Sequence, residues 1–148
     1  MRDLANRVVQ TAVLAPVVQN ATVTSAAIDL EGFNSAMISV ATGVEGVTLS
    51  GSVFWTFILQ HSDDDSTYTV VSSDSDVTDG SIDSNGIFLT LDANGETPQV
   101  SGIGYIGGKR YLKVVSTKNG TMSTGTPISV NCVLGNAINA GDVTTTFV

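Results

Sequence analysis

The chain has 148 residues and a formal net charge of −8, with 42% hydrophobic and 14% charged residues. That length suits one domain with its own core, and so low a charged fraction argues against a disordered chain. The acidic balance disfavours direct contact with nucleic acid, and no apolar run is long enough for a membrane-spanning helix.

Valine, threonine, serine and glycine are abundant, while lysine and glutamate are scarce. That balance favours strands and turns over helices. The single cysteine, Cys132, allows no internal disulfide. After Arg2 and Asp3 the apolar run is broken by Asn6, Gln10, Thr11 and Pro16, which is not the pattern of a signal peptide.

Residues 1–20 read as an N-terminal arm. The segment Val8 to Val18 is apolar without a clean period, and Pro16 would interrupt a helix. Such an arm is expected to bury itself on a partner. Strand signals begin at Thr22, and Ala27 to Leu30 leads into a turn at Glu31-Gly32. Phe33 to Ala41 alternates, with Ala36, Ile38 and Val40 on one face. Gly43 to Gly51 reads as a loop or a weak edge strand around Val47 to Leu49. Val53 to Gln60, VFWTFILQ, reads as a central strand covered on both faces, with Trp55 in the core.

Ser62 to Ser66 is a polar turn, and Tyr68 to Val71 returns from it as a hairpin. Residues 72–85 form an acidic loop. Ile87 to Leu91 and Val100 to Ile106 are strands, the latter followed by Gly107-Gly108. Lys109 to Thr117 and Pro127 to Leu134 read as two strands joined by the turn chemistry of Lys118-Asn119-Gly120. In the first, Lys109, Tyr111, Lys113 and Val115 share one face, and Arg110 falls with Leu112 and Val114 on the other. In the second, Ile128, Val130, Cys132 and Leu134 share one face, so Cys132 reads as a packing thiol. Residues 136–148 form a C-terminal tail with a late Val143 to Val148 patch.

About eight strands with regular turn spacing predict an all-β fold, a single antiparallel β-sandwich over residues 21–135 with extended N- and C-terminal arms. Spacing alone leaves jelly-roll and immunoglobulin-like strand orders open.

No constellation supports catalysis, so the chain is read as a non-enzyme. His61 reads as an exposed turn histidine beside Asp63 to Asp65, and there is no G-x-S-x-G elbow. Asp63-x-Asp65-x-Thr67 has the spacing of a calcium-loop start, yet Tyr68 stands where glycine is needed and Asp74 where a glutamate would close the loop. Solvated turn carboxylates are the reading, with no cofactor and no metal. Gly102-x-Gly104-x-x-Gly107 precedes a strand and not a helix, so the glycines read as a bulge or a close backbone approach.

Several pieces carry a resemblance: Tyr105-Ile106-Gly107, Lys109-Arg110-Tyr111, Lys113-Val114-Val115 and Val133-Leu134-Gly135, with Met1-Arg2-Asp3-Leu4 at the start and Gln60 to Thr69 in the middle. As a set they resemble the small decoration, or cement, proteins of tailed-bacteriophage heads. The resemblance implies a jelly-roll-like sandwich. It implies a structural virion protein that binds the outer capsid surface and stabilises contacts between capsid subunits. The partners would be the major capsid protein and further copies of itself, as a dimer or trimer, with no nucleic acid and no membrane. The location would be the capsid surface, after assembly in the host cytoplasm. Candidate contact residues are Arg2, Arg7, Leu14, Val17, Val18, Lys109, Lys113 and Phe147. The alternatives are a carbohydrate- or receptor-binding β-sandwich module, or a head–tail or tail structural protein.

Overall fold

Residues 7–138 are described by a computed structural model, in which two antiparallel sheets pack face to face as a β-sandwich. The first sheet has five strands in the order β1 (Val9–Gln19), β11 (Thr126–Ala137), β4 (Phe33–Thr42), β9 (Gln99–Tyr105) and β7 (Val77–Thr78). The second is built on β10 (Tyr111–Asn119) and β5 (Phe54–Ser62), which pair along their whole length. Two short strands, β2 (Val23–Thr24) and β3 (Ile28–Asp29), line the free side of β10. Two more, β6 (Thr69–Val70) and β8 (Ile87–Leu91), line the free side of β5.

The inward faces follow the period of two in the sequence. Ala36, Ile38 and Val40 of β4 are buried, as are Leu112 and Val114 of β10 and Ile128, Val130, Cys132 and Leu134 of β11. Trp55, Phe57 and Leu59 of β5 meet them from the second sheet, with Tyr105 and Ile103 of β9 completing the centre. Burying each of these larger side chains contributes roughly 1.5–3 kcal/mol before chain entropy is counted. On the other face of β5, Thr56 and Ser62 are buried but Phe54, Ile58 and Gln60 are only half-buried, so the strand expected to be covered on both faces is only partly covered on this one.

The pairing is nested along the chain. β1 pairs β11, β2 and β3 pair β10, β4 pairs β9, and β5 pairs β6 and β8. The first half of the chain thus meets the second half in reverse order, like one long hairpin rolled up.

Several sequence expectations change. The segment read as an N-terminal arm contains β1, the edge strand of the first sheet, so the sandwich begins well before residue 21. Its period is hidden by register shifts between Ala12 and Leu14 and between Leu14 and Val17. Pro16 lies in the second irregularity on an edge, where its missing N–H removes little of the ladder. Val13 enters the core, and its carbonyl accepts the Ala26 N–H at 2.8 Å, which ties β1 to the start of the second sheet. Leu14 faces Val130 and packs against the core as a half-buried side chain.

At the other end β11 runs to Ala137, and the Ile138 N–H donates to the Gly32 carbonyl at 2.8 Å. The sandwich therefore also passes residue 135. The remaining tail, with Phe147 and the Val143 to Val148 patch, lies outside the described residues, as does Arg2. The two strands expected as neighbours, β10 and β11, belong to different sheets, because the link between them crosses from one layer to the other. The acidic loop holds a 3₁₀ turn (Asp74–Asp76) and β7, both too short to show a period. Val47 to Leu49 is not a strand, although Leu49 is buried.

Candidate interaction surface

The sequences of the five strands of the first sheet are VQTAVLAPVVQ, FNSAMISVAT, VT, QVSGIGY and TPISVNCVLGNA. None of these residues is charged. Pairing brings their outward positions side by side. One level across all five strands runs Gln10, Val133, Met37, Gly104 and Thr78. Another runs Ala12, Asn131, Ser39 and Gly102. Beyond it lie Ser129, Ala41 and Val100, and the pair Val18–Pro127 closes that end. Met37 is 52% exposed, Val100 74% and Val18 57%. The result is an uncharged, partly apolar face in an acidic protein.

The face is grooved because glycine takes outward positions. Gly102, Gly104 and Gly135 help line a depression of about 360 Å³ bordered by Met37, Val133 and Thr78, with Asp79 at its rim. At Gly104 an added Cβ would sit 2.2 Å from Thr78 Oγ1, so this glycine leaves room for the Thr78 side chain. The close backbone approach expected of the Gly102-x-Gly104-x-x-Gly107 string is at Gly102, where an added Cβ would sit 3.0 Å from the Ile38 carbonyl oxygen.

The charges cluster elsewhere, largely in pairs. Arg110 donates to both carboxylate oxygens of Asp29 at 2.8 Å and also pairs with Glu31. Arg110 thereby holds the Asp29 carboxyl below its ordinary range. Arg110 thus points to solvent and acids, away from the apolar side chains of its neighbours. Lys109 pairs with Asp63. Lys113 lies 3.6 Å from Asp65 and 4.0 Å from the centre of the Tyr68 ring. Asp64 accepts from the Ser62 hydroxyl and from the Ser66 and Thr67 N–H groups, which hold its carboxyl well below the usual range. The acidic turn is therefore organised around β10 lysines and its own backbone. Among the described residues no group of three or more acidic, histidine or cysteine side chains is arranged to hold a metal.

The candidate contact residues thus divide. Val18, paired with Pro127, lies on the uncharged face at the end of β1; Val17, 53% exposed, pairs with the buried Ile128 and so lies on the opposite side of the strand, and Leu14 is turned inward. Arg7 is exposed just before β1. Lys109 and Lys113 are engaged within their own chain. Arg2 and Phe147 lie outside the described residues.

His61 is not an exposed turn residue. It sits half-buried near the end of β5, with Nδ1 3.0 Å from the Tyr105 hydroxyl. That hydroxyl also accepts the Lys109 N–H at 3.2 Å, so it bridges His61 and the turn before β10. Burial lowers the His61 pKa and raises that of Tyr105. Cys132 is fully buried, and desolvation pushes its thiol up to about 12, where it is inert. Trp55 is in the core, so it offers no platform to a sugar ring.

No protein-family model matches the chain, and no curated protein matches it. What the individual strands hide in the sequence is that all five uncharged segments belong to one sheet. The available signal was the absence of any charged residue from each of the four longer segments, but only their pairing turns that absence into a face.

Proposed function

We propose that this chain is a structural protein of a tailed-bacteriophage head, which binds the outer capsid surface and stabilises contacts between capsid subunits. The observation that carries the reading is the segregation of charge: one whole sheet presents an uncharged face, while the acids occupy loops and the other layer. A surface of that kind is suited to lasting adhesion through shape and apolar contact. The nested pairing also supports the jelly-roll order, in which two four-strand groups arise from one rolled hairpin. The segment resemblance points to the same class.

In this reading the work is mechanical. Each copy adds interface that must break before capsid subunits separate, and about 1,600 Å² is enough for a specific contact. Val17 and Val18 are the described apolar residues at the margin of the sheet that best fit a capsid contact.

Cosedimentation with capsids assembled without this chain tests the proposal. Saturable binding is expected, and a Val17→Asp, Val18→Asp double variant should weaken it by about tenfold or more. A wild-type chain that stays in the supernatant at both low and high salt rules the reading out.

A further inference from the structure

We infer that Asn94 is a site of covalent self-modification, where the side-chain amide and the Gly95 nitrogen close a cyclic imide that water opens to aspartate and isoaspartate. The inference needs no partner and is independent of the capsid reading.

The chain holds three Asn-Gly pairs: Asn85-Gly86, Asn94-Gly95 and Asn119-Gly120. Glycine leaves the backbone nitrogen that follows an asparagine unshielded by a side chain, so composition makes all three pairs candidates. The fold separates them. Ring closure brings the asparagine amide carbon to the next backbone nitrogen, and hydrogen bonds that hold either group must break first.

Asn85 is held on both counts. Its Nδ2 donates to Asp83 Oδ2 at 3.2 Å and its N–H to Asp83 Oδ1 at 2.9 Å. The Gly86 N–H donates to the Asp83 carbonyl at 3.0 Å, and Gly86 is buried against Val70 and Leu59. Asn119 ends β10, where it pairs with Phe54. Its Nδ2 donates to Thr56 Oγ1 at 3.3 Å and to the Thr117 carbonyl at 3.4 Å. Gly120 is packed so closely that an added Cβ would sit 2.1 Å from the Ser52 carbonyl oxygen.

Asn94 and Gly95 are held by neither device. They are the exposed central residues of a turn that the Glu96 N–H closes on the Ala93 carbonyl at 3.4 Å. The Glu96 carboxylate steadies the turn by accepting the N–H groups of Asp92 and Ala93 at 2.7 and 2.9 Å. Gly95 has φ 85°, as the second central position of a type II turn requires. Among the described residues no hydrogen bond engages the Asn94 side chain or the Gly95 N–H. Nothing lies within 4 Å of the position of a Cβ on Gly95, so the turn has room to bring the two groups together.

The Gly95 nitrogen loses its proton and bonds to Asn94 Cγ. The Cγ–Nδ2 bond breaks, and ammonia leaves carrying a proton equivalent to the one lost. Water then opens the imide at one of its two carbonyls. One opening restores the backbone as aspartate; the other routes it through the side-chain carbon as isoaspartate. Either product adds one negative charge to the formal −8, beside Asp92 and Glu96 and outside the strands of the uncharged face.

Timed incubation of the full chain, followed by peptide mapping in a mass spectrometer, tests the inference. The peptide containing Asn94 should gain one mass unit and split into two isomers, faster as pH rises, with native circular dichroism retained. Asn85 and Asn119 should convert about tenfold more slowly or less, since their hydrogen bonds must open first. In concentrated urea all three should convert at similar rates. Asn94→Gln should abolish the fast acidic species on isoelectric focusing. An Asn94 that stays intact in the native chain, three pairs that convert there at one rate, or a fast acidic species that survives Asn94→Gln overturns the inference.

Discussion

His61 Nδ1 and the Tyr105 hydroxyl lie 3.0 Å apart and join β5 of the second sheet to β9 of the first. The hydroxyl is shared with the Lys109 N–H, so one phenol oxygen holds the strand layers and the glycine turn before β10 together. Burial favours neutral imidazole here. An unfolded histidine takes up its proton below about pH 6.5, whereas the folded one does so only at lower pH. The stabilisation is therefore full above about pH 6.5 and is lost as pH falls through the folded value. His61 is the single histidine, so proton NMR can follow it without ambiguity. The native midpoint should lie below 6.5, and a midpoint at or above that value contradicts the assignment. Tyr105→Phe should lower unfolding free energy by about 1–3 kcal/mol in urea, because it orphans two polar groups.

A second inter-sheet bond lies deeper. The Trp55 indole Nε1 donates to Thr126 Oγ1 at 3.2 Å, and both residues are fully buried. Thr126→Val keeps the volume but leaves the indole N–H without its partner. The expected loss is about 1–3 kcal/mol in denaturant unfolding, with the slope unchanged. The single tryptophan reports the transition directly through its fluorescence. A loss under about 0.5 kcal/mol would mean the indole is satisfied in another way.

The first strand supplies a third prediction. Deleting residues 2–18 removes nearly all of β1, takes Val13 from the core and bares the edge of β11. That variant should aggregate or unfold without cooperativity. Deleting residues 2–7 spares β1 and should leave a cooperative transition. Size-exclusion profiles and thermal melts of the two variants distinguish the outcomes. A stable, cooperative 2–18 deletion would show that β1 is a detachable arm after all.

Part of the candidate surface was legible in the residues. Val17 and Val18 stand out as apolar residues beside Pro16, and they are exposed in the fold. Leu14, four residues before Val18, is turned inward because the bulges in β1 change which side chains face the core. No count along the segment separates these cases, since a bulge resets the alternation without leaving a composition signal. Lys109 and Lys113 likewise read as available cations, but the turn at Asp63 to Asp65 folds back over β10 and pairs with them.

The sequence by itself determined the β class and, apart from β1, the longer strands and their inward faces. A pleated strand alternates its side chains, so Ile38, Val114 and Val130 declare their side of the sheet through near neighbours alone. Only the tertiary structure decided which strands are partners. β10 and β11 bury equally regular faces yet lie in opposite sheets, since a strand beside another and a strand facing it leave the same trace of burial. His61 meets Tyr105 across 44 positions for the same reason, outside the reach of any local pattern. The uncharged face belongs to this second kind of knowledge: each of its long strands is visibly free of charge, but their common surface exists only through pairing between the two halves of the chain.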